Sequence, residues 1–194
     1  MAKESFSTYF RSQMGKKDYI EGQYKVACLL DDLKHFNRNY LIMVHPRFGK
    51  STMSDLLCKY YKENSKYGAQ ILSYRAMPYE EVNRKYWKDF DPNHIPVDLI
   101  IFDDPVRNED ESNDLDKMKS LLNYVENIPS DIPIVCFVTR FTNGDFAGQI
   151  LNHSTKAWTF LRVQPPELTQ IKNTIGRRKW QSLYMQQPIA ENLM

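Results

Sequence analysis

The 194-residue sequence has little of what would set it apart from ordinary globular proteins. It has three cysteines (Cys28, Cys58 and Cys136), widely spaced and each set among apolar neighbours. Neither a disulfide scaffold nor a thiolate metal cluster fits that pattern, and they read as reduced core thiols of a cytosolic protein. Seven glycines and ten prolines are scattered along the chain, which excludes a collagen-like repeat and a Gly/Ser-rich linker. The longest apolar runs, such as 41–44 and 99–102, fall far short of the ~18 residues that cross a bilayer. Residues 1–17 are polar and aromatic, without the charged-then-apolar pattern of an export leader, so no membrane partner is expected. A net charge of +2 is uninformative as a sum. What is present is 42% hydrophobic and 13% aromatic residues, enough for a genuine core in one domain.

Apolar spacing predicts helices over 19–36, 51–61, 78–90 and around 115–125, a short helix over 146–151, and a mostly helical tail from 167 interrupted near Gly176. Short apolar runs predict strands at 40–44, 69–74, 97–102, 132–138 and 159–163. Strands alternating with helices predict an α/β three-layer sandwich, a mostly parallel sheet of about five or more strands flanked by helices. In such folds ligands sit beyond the carboxyl ends of the strands.

The first strand runs into His45, Pro46, Arg47, Phe48, Gly49, Lys50, Ser51 and Thr52, and then into a helix. Gly-Lys-Ser at a strand-to-helix turn is the core of a Walker A phosphate loop. Its backbone amides cradle phosphates, Lys50 neutralises their charge and the Ser51 hydroxyl ligates Mg²⁺. The helix N-terminus adds donors and a dipole that favours anions. Val44 stands where the usual pattern has its first glycine, and the tripeptide alone fits a surface turn equally well. Arg47 is a further cation, either near a γ-phosphate or simply solvated.

The run Val97-Asp98-Leu99-Ile100-Ile101-Phe102-Asp103-Asp104 has the form of a Walker B element, an apolar strand ending in two carboxylates. Asp103 is then the acid on the Mg²⁺ side and Asp104 the one that activates water, since phosphoryl transfer needs mainly positioning and charge neutralisation. The alternative is an acid pair facing solvent. Thr139 ends another strand, where a hydroxyl can sense a γ-phosphate or merely close the strand. Loop and acid pair in this order predict a P-loop NTPase of the ASCE type with nucleotide phosphates and Mg²⁺ as its ligands.

Together, His-Pro-Arg-Phe-Gly-Lys-Ser (45–51), Leu-Ile-Ile-Phe-Asp-Asp-Pro-Val-Arg-Asn (99–108) and Val-Thr-Arg-Phe (138–141) resemble the ATPase domain of tailed-phage terminase large subunits. Asp-Phe-Ala-Gly (145–148) and Trp-Gln-Ser-Leu-Tyr-Met-Gln-Gln-Pro (180–188) resemble two further stretches of that family. The resemblance spans roughly 23–188. It implies an ATP-hydrolysing motor that translocates double-stranded DNA into a procapsid through the portal protein. It also implies a homo-oligomeric ring, generally a pentamer, a small terminase subunit as partner, and the host cytoplasm as location. It associates Arg47 with the γ-phosphate, Thr139 with coupling and Gln23 with the adenine.

Two departures count. The Gly-rich, Arg-containing segment that many members carry before Asp-Asp-Pro is missing, which leaves Arg107, Arg140 and Arg162 open as the trans-acting arginine. The chain also stops where a nuclease domain ordinarily begins. The expectation is therefore one ATPase domain over 1–188, with 189–194 as linker or tail, and no DNA cleavage.

Charge is unevenly placed. Between 140 and 180 there are seven basic residues (Arg140, Lys156, Arg162, Lys172, Arg177, Arg178, Lys179) against Asp145 and Glu167. Negative charge gathers at Asp98, Asp103, Asp104, Glu109, Asp110, Glu111, Asp114 and Asp116. A basic region suits sequence-independent contact with DNA phosphates, for which Arg177, Arg178 and Lys179 are the candidates; a solvated helix face or a subunit interface is the other reading. Two further function classes remain: a small P-loop kinase, and a nucleotide-binding assembly module with little turnover.

Overall fold

The computed structural model describes residues 4–15, 21–33, 38–73, 97–106, 108–163 and 169–188. Five strands, β1 (Asn39–Met43), β2 (Ala69–Ser73), β3 (Leu99–Asp103), β4 (Ile134–Val138) and β5 (Trp158–Arg162), form one sheet in the order β2-β3-β4-β1-β5. Every pairing is parallel, with Tyr40 opposite Val135, Met43 opposite both Val138 and Arg162, and Ile101 opposite both Ile71 and Val135. The helices are α1 (Phe6–Met14), α2 (Glu21–Leu30), α3 (Lys50–Asn64), α4 (Glu109–Ser112), α5 (Leu115–Asn127), α6 (Phe146–His153) and α7 (Thr169–Lys179).

The continuous apolar runs of β3 and β4 are buried at every position because helices cover both faces of the sheet. Alternate residues feed opposite layers. Tyr40, Ile42, Leu99, Ile101, Val135 and Phe137 pack with buried residues of α1, α2 and α3. Leu41, Met43, Ile100, Phe102, Ile134 and Cys136 pack with those of α5 and α6. The result is the expected α/β sandwich around an all-parallel sheet. No helix among the described residues is long and apolar enough to cross a membrane.

Three findings depart from the sequence reading. Residues 6–14 form a helix where none was expected. Phe6, Tyr9 and Phe10 are buried at spacings of three and four, Ser5 caps the amide of Thr8, and the Tyr60 hydroxyl donates to the Glu4 carbonyl. Cys28 is exposed: α2 turns Val26, Ala27 and Leu30 inward and leaves Cys28 outside, whereas Cys58 and Cys136 are buried. The acidic segment after β3 carries its own short helix α4, capped by the Asn108 side chain. The tail behaves as read, because Gly176 breaks the helical geometry of α7 (φ 80°, ψ 163°). A π-helical turn, Trp180–Tyr184, then follows. The expected helix over 78–90 lies outside the described residues.

Candidate functional site

Because the sheet is parallel, the segments leaving β1, β3 and β4 emerge on one edge. The loop 44–49, Asp104 and Thr139 therefore meet there. The Lys50 ammonium, on a residue 7% exposed, donates to the Thr139 hydroxyl at 2.7 Å and pairs with Asp104 Oδ2 at 3.0 Å. The other Asp104 oxygen accepts the Thr139 amide at 3.1 Å, and Thr139 Oγ1 lies 3.3 Å from the Val44 carbonyl. The sequence-predicted lysine, second acid and strand-end threonine thus form one connected cluster. Burial strengthens each charge-assisted bond relative to water.

The loop is held in a special backbone conformation. Gly49 (φ 91°) is the N-cap of α3, sits in the left-handed region and, being glycine, brings no side-chain cap of its own. The first-turn amides of α3 lie at the loop, the arrangement that receives anions. A Cβ on Gly49 would lie 2.5 Å from the Gln23 side-chain nitrogen. Arg47 (φ 64°) and Asp104 (φ 49°) also adopt left-handed φ, which costs a non-glycine residue about 1–2 kcal/mol and points to a functional constraint.

Gln23 is buried, and its amide nitrogen donates to the Phe48 carbonyl at 2.6 Å. It holds the loop from behind, and this placement lends no support to the adenine-reading role implied by the resemblance. Phe48 is fully buried, Pro46 half-buried, and Arg47 and Thr52 exposed. Asp103, at the end of β3, is 3% exposed, and Ser51 is half-buried in the first turn of α3. Among the described residues no group of three or more His, Cys, Asp or Glu could by itself hold a metal. A sparse donor pair, one hydroxyl and one carboxylate, suits Mg²⁺, which takes few protein ligands and completes its shell with phosphate oxygens and water.

Arg140, one of the three trans-acting candidates, lies in the interior. It is 5% exposed; its Nε donates to Asp145 at 3.0 Å and its Nη2 to the Thr142 carbonyl at 3.0 Å. Asp145 also accepts the amides of Phe141, Thr142 and Gly148 and caps α6. A Cβ on Gly148 would meet the Asn143 carbonyl oxygen at 1.9 Å, so this stretch needs glycine for packing. Reaching a neighbouring subunit would require Arg140 to abandon a buried ion pair. Arg162 is exposed at the end of edge strand β5, beside β1. Arg107 lies outside the described residues.

Arg177, Arg178 and Lys179 are exposed past the Gly176 break, and Arg178 pairs with Glu109 at 2.7 Å. Two clefts of roughly 330 and 360 Å³ adjoin this stretch, lined by Phe141, Arg178 and Ser182. Neither includes the Lys50 cluster, which is singled out by burial and charge pairing and not by concavity.

Sequence reasoning gave no role to His45. Its ring is buried, meets Phe48 edge-on (5.6 Å, 86°) and stacks on Tyr184 (6.0 Å, 10°). Nδ1 donates to the Pro46 carbonyl at 2.8 Å, while Nε2 is buried without a hydrogen-bond partner. Burial, helped by the Lys50 charge and partly opposed by the bond to Pro46, holds the imidazole below its ordinary pKa and hence neutral. Only the adjacency of His45 to the loop hinted at this. Comparison with known proteins finds no matching family model, no matching curated protein and no matching solved structure.

Proposed function

We propose that the chain is an Mg²⁺-dependent ATPase of the P-loop NTPase, ASCE type, and the motor of phage DNA packaging. In this reading it moves double-stranded DNA through the portal protein into the procapsid as part of a homo-oligomeric ring, a pentamer, in the host cytoplasm, with the small terminase subunit as a further partner. The observation that carries the ATPase reading is the convergence of Lys50, Asp104 and Thr139 beside the Gly49-capped start of α3. The strand order supports it, since β4 lies between β1 and β3 and so delivers Thr139 between the lysine and the acid. The packaging role is supported by the motifs at 45–51, 99–108, 138–141 and 180–188.

In this reading the Lys50–Asp104 pair is a latch. An incoming phosphate takes the place of the carboxylate on Lys50, exchanging one charge-assisted bond for another. Asp104 Oδ2 is then released to accept a proton from the attacking water, while the Thr139 amide keeps Oδ1 in place. Ser51 and Asp103 are the residues that would hold Mg²⁺, which would supply positive charge to neutralise the phosphates. Arg47 is the exposed cation of the loop and Arg162 the accessible candidate for action in trans.

The latch also favours a second reading, a nucleotide-binding assembly module in which Lys50 binds phosphate but Asp104 turns over little. Phosphate release, measured across protein concentrations with and without double-stranded DNA, separates the two. The motor reading expects concentration-dependent turnover stimulated by DNA and a loss of roughly 10²–10⁴-fold in Asp104→Asn with binding retained. Binding with turnover at background in every condition would replace it with the module.

A further inference from the structure

The π-helical turn Trp180–Tyr184 and the residues after it lie at the Lys50 edge of the sheet, beside the Lys50–Asp104–Thr139 cluster. Their contacts fall on two points that the chemistry uses. The first is the root of the phosphate loop: the Tyr184 ring stacks on His45, and the Trp180 ring stacks on Tyr184 at 4.9 Å and 8°. The second is the peptide after Thr139. The Gln186 Oε1 accepts the Arg140 amide at 2.8 Å, and the Ser182 hydroxyl donates to the Arg140 carbonyl at 3.1 Å and to the Phe141 carbonyl. Gln186 is fully buried and left-handed (φ 55°), a conformation that persists only when the surroundings enforce it.

Both ends of the Lys50 cluster are therefore fastened to one short segment. His45 cannot tilt without moving the Tyr184 ring. The Thr139–Arg140 peptide cannot rotate without breaking a buried hydrogen bond to Gln186 Oε1. We propose that Tyr184 and Gln186 are positioning residues that tie the phosphate loop and the Thr139 segment into one frame, so that occupancy of the phosphate site is felt at Trp180. The proposal rests on the P-loop reading of the Lys50 site. Exchange of Asp104 for phosphate on Lys50 shifts the ammonium and its bond to the Thr139 hydroxyl, and the Gln186 contact carries that change to the ring stack.

The test uses the full chain labelled with 5-fluorotryptophan, whose three resonances (Trp87, Trp158, Trp180) are assigned through a Trp180→Phe variant. Magnesium with a non-hydrolysable ATP analogue is the probe, and binding is measured separately by calorimetry. The Trp180 resonance is expected to shift with the calorimetric affinity. Tyr184→Leu should remove the shift while binding persists, and Tyr184→Phe, which keeps the stack, should restore it. Gln186→Leu should lower kcat by roughly tenfold with KM changed less than about twofold, and Gln186→Glu, which still accepts the amide, should recover turnover. Calorimetric binding with a silent Trp180, or an unchanged shift in Tyr184→Leu, would overturn the proposal and leave the P-loop reading intact. No calorimetric binding at all would overturn both.

Discussion

Of the ion pairs among the described residues, two in different regions bear comparison, one beside the broken tail helix and one at the Lys50 edge of the sheet, and by distance alone the exposed pair ranks higher. Arg178 meets Glu109 at 2.7 Å, and Lys50 meets Asp104 at 3.0 Å. The surroundings reverse that ranking. The Arg178 side chain is 59% exposed at the end of a broken helix, so water and salt screen the pair and it contributes little. Lys50 is enclosed, shares its ammonium with a threonine, and joins segments from three strands. Distance alone does not rank charge pairs; enclosure and further hydrogen bonds do.

That contrast breaks most directly at Lys50. Lys50→Ala should abolish calorimetric phosphate and nucleotide binding and lower turnover by roughly 10²–10³-fold or more. Turnover retained in this variant would mean that the enclosed pair is only a structural contact. A smaller effect is expected at His45, which borders the same enclosure. Its folded-state pKa lies below the unfolded value of ~6.5, so the unfolded chain takes up protons first as pH falls. The stability associated with the neutral ring is thus present above ~6.5 and lost as pH drops through the folded value. Denaturant midpoints measured from pH 7.5 to pH 5 should fall, and should fall less in His45→Gln; equal slopes would remove His45 from the account. The smallest effect belongs to Arg178→Ala, which should change stability by less than about 0.5 kcal/mol. If Arg178 meets DNA, the same variant should weaken binding alike for all sequences and reduce the salt slope by about 1. A large stability loss in Arg178→Ala would erase the contrast between the two regions.

The sheet was legible in the sequence because strands buried on both faces must be nearly all apolar, as 41–44 and 99–102 are. The meeting of Lys50, Asp104 and Thr139 was legible because each stands where an apolar strand of a parallel sheet ends, and such ends share one edge. Helix α1 escaped because its nine residues mix Ser, Thr, Arg and Gln with the aromatics, so its burial is settled by packing against α2 and α3 and not by composition. Arg140 reads as a free cation beside Thr139 until the four-donor environment of Asp145 is seen. Gln23 and Tyr184 reach the loop from distant helical segments, and no local pattern encodes such contacts.

The wide spacing of the Lys50 cluster along the chain bears on folding. Lys50 and Thr139 are 89 positions apart, and Asp104 and Thr139 are 35 apart. Such closures come at an entropic cost that only completed β1–β4 and β3–β4 pairing offsets. A half-assembled sheet therefore has no site, and a ligand that bridges these segments binds the native state alone. Saturating it at about 100 times its Kd would raise unfolding free energy by about 2.7 kcal/mol. If the proposed phosphate site binds its anion, that binding would be a stringent reporter that the middle of the sheet has closed.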